Sequence, residues 1–492
     1  MNRAIPFLLA TGMFISVWQD GFAQVRRLTL GDIVEMAKAQ SPRSKQAETR
    51  RENLYWTYRY YKSNYNPQLR LSGNFPNYSQ DFTPVTQPDG SIEFRSRQQT
   101  NSALTLGLQQ PIPWTGGVVS VNSSVFVVDD IEREVVNWSG VPMNIRLDQP
   151  LFAFNPLKWD KLIEPLRYES SRREYAEEME FIAREATSRF FAVMTSQINL
   201  QIATFNLANN DTIYKIEQGR YNIGTTSKDK LLQVELQLLR SRQDVAQARL
   251  AQETDRLRLR SFVGMNDTEQ FELVLPEEIP QFEVSLTEAL DRARANRSQF
   301  LDFERRRLEA ESQVADAKGD RFQAMLTASY GLNNSGTALS EIYNDPLRQQ
   351  RFNIGFNVPV VDWGRNKSRL RTAMANKEYT DYVIAQDEIN FEQEILTQVR
   401  QFDMLRLQIE ITKKSDEVAQ ERYNVAQNRY LIGKIDITNL NIALTEKDDA
   451  KRSYILALQS FWQAYYDLRR LTLYDFANKR PLYGGTVEEL KN

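Results

Sequence analysis

The sequence contains no cysteine and no histidine. Their absence excludes disulfide frameworks, Cys/His zinc sites, thiol nucleophiles and Ser-His or Cys-His triads. It also excludes lipid attachment through an N-terminal cysteine. Charge of one sign is lacking too: 62 Lys plus Arg stand against 64 Asp plus Glu. With no basic excess to hold a polyanion, no nucleic-acid partner is expected. Charged residues make up 26% and mean hydropathy is −0.54, which argues against a bundle of membrane-spanning helices. No glycine-rich phosphate loop, metal-ligand cluster or nucleophile motif occurs. Paired carboxylates such as Glu177 and Glu178 read as a solvated helix face rather than an acid/base pair. No enzyme, cofactor or metal is implied.

One apolar run does occur, "AIPFLLATGMFISVW" at 4–18. Arg3 precedes it, and Gly21 and Ala23 follow. That is the order of a secretory signal peptide over residues 1–23, cleaved after Ala23, and the run is short for a membrane anchor. The mature chain is expected to be exported.

The chain then repeats itself. "RYNIG" (220–224) returns as "RYLIG" (429–433), an offset of 209. At that offset Tyr214 meets Tyr423, Gln218 meets Gln427, Leu231 meets Leu440 and Pro150 meets Pro359. "NIRLDQPLF" (144–152) lies over "NIGFNVPVV" (353–361). Register held over so long a stretch indicates a tandem duplication. A weaker echo places "LTLGDIVEMAKAQSP" (28–42) over "VSLTEALDRARANRS" (284–298). The expected organisation is a first repeat at 24–263, a linker rich in Pro and acids at 264–284, a second repeat at 285–475 and a tail at 476–492.

Each half predicts a helix (about 30–64 and 286–320), a strand region, a long helix (about 157–219 and 366–429) and a shorter helix (about 228–262 and 437–472). The long segments are rich in Glu, Arg, Gln, Ala and Leu and nearly free of Gly and Pro. Helices of ~63 residues would be roughly 95 Å long, so they must lie side by side as a coiled coil or helical wall. Leu232, Leu239 and Ala246, with Leu236, Gln243, Leu250 and Leu257, form a seven-residue seam. By length, the two shorter helices of each half would stack end to end beside the long one.

The repeated phrase falls where a long helix ends and a shorter one starts. Gly224 and Gly433 suit the left-handed position after a helix C-terminus. Thr226 or Ser227, and Asp436 or Thr438, suit the following N-caps. Each phrase is therefore a hairpin tip, with Ile223 and Ile432 expected to pack beneath it. Capping accounts for the glycines but not for the Arg-Tyr pair.

The strand regions alternate. "QLRLSGNF" (68–75) sets Leu69 and Leu71 against Arg70 and Ser72. "MNIRLDQPL" (143–151) sets Ile145 and Leu147 against Asn144 and Arg146. "RFNIGFNVPV" (351–360) sets Phe352, Ile354 and Phe356 against Asn353 and Asn357. "SALTLGLQ" (102–109) and "AMLTASYGL" (324–332) behave alike. Such a sheet is wet on one side only. Strands of about 9–11 residues match a tilted membrane span. Aromatics crowd their ends as an interfacial girdle would: Tyr55, Trp56, Tyr58, Tyr60, Tyr61, Tyr65, Trp114, Trp138, Trp159 and Trp363. About four to six strands per chain are too few for an aqueous lumen, because eight already fill with side chains. The fold class that follows is an α+β membrane protein, with duplicated long coiled-coil hairpins and strands that build a barrel shared among copies.

This order of segments, with "DQPLF" and "VPVVDWG" leading from strand to long helix and "RYNIG" and "RYLIG" at the tips, resembles the TolC-type outer-membrane efflux proteins. The resemblance implies a homotrimer with one β-barrel in outer-membrane lipid and a helical tunnel in the periplasm. It implies a passive exit duct for efflux or type I secretion, joined by a periplasmic adaptor protein to an inner-membrane pump or ABC transporter. On this resemblance Arg220, Tyr221, Gly224 and Asp229, with Arg429, Tyr430, Gly433 and Asp436, belong to the adaptor-docking tunnel tip. Pro150 and Pro359 would mark the barrel-to-tunnel transition.

Two departures stand out. Family members often place an acid six residues after the tip glycine, where this chain has Lys230 and Asn439. Asp229 and Asp436 lie nearby as candidates to supply such a charge. Second, "LQQPIPWTGGVVSVNSSVFVV" (108–128) reads as an extra hairpin without a counterpart in the second half. Either its strands enter the barrel and exceed the usual twelve per trimer, or it folds over the rim. The competing reading is a structural or adhesive coiled-coil protein of the cell envelope, which leaves the two-faced strands unexplained.

Overall fold

In the computed structural model, which describes residues 26–265 and 271–484, both halves follow one order of elements. The first runs β1 (Arg26–Leu28), α1 (Leu30–Gln40), α2 (Pro42–Ser63), β2 (Gln68–Asn74), β3 (Tyr78–Thr86), β4 (Ile92–Ile112), β5 (Gly117–Asp130), β6 (Val135–Leu151), α3 (Pro156–Asn222) and α4 (Lys228–Val263). The second runs β7 (Phe271–Leu273), α5 (Leu286–Asn296), α6 (Ser298–Gly319), β8 (Gln323–Gly336), a 3-10 turn (Leu339–Tyr343), β9 (Leu347–Asn357), α7 (Arg365–Leu431) and α8 (Ile437–Thr472). A small hairpin, β10 (Tyr474–Asp475) and β11 (Arg480–Pro481), follows. α3 and α7 have 67 residues each, about 100 Å at 1.5 Å per residue. The signal segment 1–23 lies outside the described residues.

The elements divide into two compact units, and neither unit is one repeat. One takes the described residues up to Lys45, Phe181–Pro280 and Met404–Ala464. The other takes Gln46–Glu180, Gln281–Asp403 and the described residues from Tyr465 onward. Each unit thus draws on both halves of the duplication.

The helices expected at 30–64 and 286–320 are each broken in two. Ser41 is extended (φ −62°, ψ 147°) because Pro42 disfavours helical geometry in the residue before it. Pro42 then opens α2 at the first helical position, where its missing N–H costs nothing. The second break, at Arg297 (φ −66°, ψ 140°), sits 256 residues later, the same offset as between Leu30 and Leu286. No proline acts there. Glu177 of α3 accepts a hydrogen bond from the Ser298 amide at 2.9 Å, and Arg173 donates to the Ala295 carbonyl at 2.8 Å. Glu177 is therefore a largely buried cap supplied by a neighbouring helix, not the solvated carboxylate its sequence context implied.

In the second unit, α2 runs antiparallel to α3. Arg50 pairs with Glu174 at 3.2 Å, Tyr58 stacks on Tyr168 with centroids 4.5 Å apart, and the Tyr65 hydroxyl donates to the Leu157 carbonyl at 2.9 Å. The aromatic run therefore splits. Tyr58 packs inward with Tyr61 and Tyr65 alongside it, while Tyr55, Trp56 and Tyr60 stay exposed. α6 runs antiparallel along α7 through Arg306–Asp387 (3.0 Å), Arg307–Glu388 (2.9 Å), Lys377–Glu311 (2.9 Å) and Arg369–Asp316 (2.7 Å). The C-terminal hairpin is tied down by Arg469, which bridges the buried carboxylates of Glu180 and Asp475, each at 2.7 Å.

In the first unit the inter-repeat segment contributes structure: β7 pairs in parallel with β1, Leu28 opposite Leu273. α8 flanks α7 through Lys451–Asp416 at 3.0 Å and an Arg422–Glu446 pair. Among the described residues the leucine seam of α4 is left largely open. Val234, Leu238 and Leu259 are buried, whereas Leu232, Leu236, Leu239, Leu250 and Leu257 face outward. α7 carries a matching open stripe at seven-residue spacing, Met404, Ile411, Val418 and Val425, continued by Ile432 just past its end.

The strands form one antiparallel sheet in the order β2-β4-β5-β6-β8-β9, with β3 pairing the N-terminal part of β4, Ile92 to Thr100. β3 has no alternating pattern and no sequence expectation fell on it. β9 ends at Asn357, short of the expected residue 360. Opposed residues share a face. The row Leu71, Leu106, Ser123 on β2, β4 and β5 joins Leu69, Leu108, Val121, Ile145, Tyr330 and Gln350 across all six strands. Alternate residues carry Arg70, Gly107, Asn122, Asn144, Gly331 and Gln349 on the other face. β6 bulges between Gly140 and Met143. The bulge accommodates Pro142 in a central strand, where a ladder N–H would otherwise be missing. Among the described residues, no helix is long and apolar enough to cross a membrane.

Candidate functional site

Both hairpin tips close with the same backbone device. The Thr225 amide reaches the Arg220 carbonyl at 2.9 Å and the Gly224 amide reaches the Tyr221 carbonyl at 3.0 Å. The second tip repeats this with Lys434 to Arg429 and Gly433 to Tyr430, at 2.9 and 3.0 Å. These are Schellman pairs, and they need a left-handed residue at the glycine. Gly224 has φ +77° and Gly433 φ +75°. Both arginines thus sit in the last turn, where a cation suits the helix dipole. Ser227 caps α4 by accepting from the Lys230 amide at 3.4 Å, and Asp436 caps α8 by accepting from the Asn439 amide at 3.0 Å. Asp436 is occupied by that cap. Asp229 lies exposed in the first turn of α4.

Side chains break the symmetry that the backbone keeps. Tyr221 is 40% exposed, whereas Tyr430 is 3% exposed. Tyr430 packs with Tyr423, Leu440 and Leu444 in a small core beneath the tip, and its hydroxyl donates to the Glu217 carboxylate at 2.8 Å. Arg220 pairs with the same carboxylate at 2.7 Å and lies 5.5 Å from the centre of the Tyr430 ring. Burial pushes the Glu217 carboxyl upward, but hydrogen bonds from Tyr430, Arg220 and Thr226 and the Arg220 charge hold it below the usual carboxylate range. Burial, then the contact with Glu217, pushes the Tyr430 hydroxyl up, so it stays a neutral donor. The structure brings Arg220 and Tyr430 together from opposite repeats, but not Tyr221 or Arg429, which face outward. Glu217 was missed because its repeat counterpart is Ala426, so the duplication does not flag it.

Ile223 and Ile432 do not pack beneath the tips. They are 73% and 67% exposed, and Leu431 is also open. They lie just past the ends of α3 and α7, where the chain reverses, and among the described residues no element covers them. Each tip consequently presents apolar side chains flanked by charges.

Deeper in the same unit, a polar layer links four helices. Asn206 of α3 donates to Asp448 of α8 at 2.8 Å, Asn209 donates to the Tyr423 hydroxyl at 2.5 Å, and Asn210 donates to Ser241 of α4 at 2.7 Å. Lys447 lies 4.4 Å over the Phe205 ring and 4.7 Å over that of Tyr423. Buried polar partners of this kind fix helix register, since any slip leaves them unpaired.

At the strand-to-helix junctions the prolines stand before the turn rather than in it. Pro150 is still within β6, opposite Met325. Because Asp148 is the last β6 residue that β5 pairs, no β5 bond is lost at Pro150. The chain turns at Phe152 (φ 63°), and Asn155 accepts from the Lys158 amide at 3.3 Å to start α3. Pro359 follows the end of β9. There the turn falls at Trp363 (φ 53°) and Gly364 (φ 85°), and Asp362 accepts from the Gly364 and Asn366 amides at 2.9 and 3.0 Å.

A sheet apolar on one face and polar on the other, joined to duplicated helical hairpins of this length, defines a class of envelope channel. The outer membrane efflux protein family model matches residues 136–265 and 289–472, and the chain belongs to that family. It is an outer-membrane protein of efflux. The fold is similar to the CmeC outer membrane channel of Campylobacter jejuni, at 15% identity and TM-score 0.66, covering 94% of this chain and 88% of that one. It is also similar to the outer membrane protein VceC of Vibrio cholerae, at 13% identity and TM-score 0.61, covering 90% and 95%. The open-state MtrE channel of Neisseria gonorrhoeae matches at 15% identity and TM-score 0.60, covering 92% and 91%. No curated protein matches the chain by sequence.

Proposed function

We propose that three copies of this chain form one passive exit duct, coupled by a periplasmic adaptor to an energised inner-membrane pump or ABC transporter. The observation that carries this reading is the sheet. Among the described residues its edge strands β2 and β9 are each paired on one side only, and one of its faces carries the apolar residues Leu69, Leu108, Val121, Ile145 and Leu326. In hydrocarbon an open edge leaves backbone groups unsatisfied, each costing several kcal/mol, so the edges must be closed by other copies. The open stripes of α4 and α7 are the corresponding helical surfaces for those copies.

The tips are the proposed adaptor contact. Tyr221, Ile223, Leu431 and Ile432 offer apolar area, while Arg220, Asp229, Arg429 and Asp436 supply charge around it. Gly224 and Gly433 set the angle at which this surface is shown. The Glu217–Arg220–Tyr430 cluster ties the two hairpins together and would hold the duct closed until an adaptor displaces it. Pro150 and Pro359 would mark the passage from barrel to tunnel. No catalytic step is assigned.

The test is to purify the mature chain from outer membrane in detergent, measure its mass, and record current across a planar bilayer. A detergent-requiring trimer that conducts is the expected result. A monomer that is soluble without detergent and carries no current would overturn the reading.

A further inference from the structure

We infer that the assembled barrel has eighteen strands, six from each of three subunits, because β4 and β5 lie within the membrane wall. This rests on the trimeric reading above and deepens it. The second repeat supplies one strand before its turn and one after it, β8 and β9, and then enters α7. By the same order, β2 and β6 are the equivalents in the first repeat. β4 and β5 are the added pair.

Three observations place the added pair in the wall. First, the ladders are continuous. β4 pairs β2 over 103–109 and β5 over 99–112, and β5 pairs β6 from Val118 to Asp130. A hairpin folded over the rim would leave β2 and β6 to pair directly, and they do not. Second, the faces agree. Leu104, Leu106 and Leu108 of β4 stand opposite Val125, Ser123 and Val121 of β5. They share the face of Leu69 and Leu71 on one side and of Ile145, Leu147, Leu326 and Ile354 on the other. Ser120, Asn122 and Ser124 fall on the face of Arg70, Asn144 and Arg146. A solvent-exposed flap needs no such match. Val119 to Val127 also covers about the 9–11 residues that a tilted membrane strand requires. Third, the count closes. Each neighbour in the path from β2 to β9 is antiparallel, so with six strands β2 and β9 run in opposite senses. The β9 edge of one subunit can therefore pair antiparallel with the β2 edge of the next, all round the ring.

The occupant of each open edge is thus a second copy of this chain. The lumen would belong to the width class of 16–18-stranded barrels, which hold an aqueous channel. The barrel would then not be the narrow point for cargo.

Because the chain has no native cysteine, single-cysteine spin labelling reads the wall directly. Trimers are first selected by mass, so a wrong oligomeric state would count against the trimeric reading and is detected separately. In lipid nanodiscs, labels at Val119, Val121 and Val125 should be relaxed by oxygen, and those at Ser120, Asn122 and Ser124 by a water-soluble nickel complex. Cryo-electron microscopy of the unmodified trimer should count eighteen strands, which needs no variant to fold. Uniform aqueous access along β5, or twelve strands in a trimer, would overturn the inference.

Discussion

The Tyr430 hydroxyl donates to the Glu217 carboxylate at 2.8 Å, joining the last turns of two long helices that come from opposite halves of the duplication. Arg220 holds the same carboxylate at 2.7 Å. A hydrogen bond to a charged group in such a setting is worth about 1.5–3 kcal/mol. Tyr430→Phe removes that bond while keeping the ring in its core of Tyr423, Leu440 and Leu444. The expected outcome is a folded trimer whose single-channel current rises because the tips part more readily. Bilayer recording beside a melting curve checks it: unchanged current with unchanged stability would remove this contact from the gate.

The same carboxylate gives the tip a pH dependence of defined sign. Glu217 titrates below its ordinary value in the folded state, near 4.3 when unperturbed. Its contribution is therefore complete above that ordinary value and is lost as pH falls through the lowered one. Current should stay flat from neutral pH down to the ordinary carboxylate range and rise only at pH below it. Glu217→Gln should show the acid-range current already at pH 7. A rise centred near pH 6 would point to a different group.

The tip glycines separate backbone strain from crowding. A Cβ added at Gly224 or Gly433 meets no atom within 4 Å, so any cost of substitution there is conformational. Left-handed geometry costs an L-residue about 1–2 kcal/mol, and asparagine tolerates it best. Gly433→Val should impair export while the folded trimer survives, and Gly433→Asn should restore most of it. Drug accumulation in cells carrying each variant distinguishes them, with normal export by the valine variant counting against the tip.

How much of this was legible in sequence depended on how local the cause was. The 209-residue offset marked both tips because Schellman closure is a backbone matter, and glycine records it. Alternation in "RFNIGFNV" marked β9 because period two is a property of one strand. The break at Ser41 is also local, since Pro42 announces it. Its twin at Arg297 has no local signal: Glu177 makes it from another helix. The fates of Ile223, Ile432 and the α4 leucines were hidden for the same reason. Periodicity states that a side chain is apolar, not whether its own chain or another covers it. The role of Glu177 as a cap, and of Glu217 as a clasp, required knowing which helices face each other.

The buried Arg469 cluster gives the sharpest test of stability apart from gating. Arg469 bridges Glu180 and Asp475 at 2.7 Å each, and the Tyr465 hydroxyl lies 3.0 Å from the guanidinium. Both carboxylates are almost fully enclosed. Arg469→Met fills much of the space but removes the guanidinium that lies between the two buried carboxylates. Breaking a buried ion pair in this way costs about 3–5 kcal/mol. Replacing the carboxylates as well, as Glu180→Gln with Asp475→Asn, removes their negative charge and should recover a large part of the loss. The single variant should therefore melt well below the triple variant. If all of them melt together, the cluster contributes packing alone and the charge argument fails.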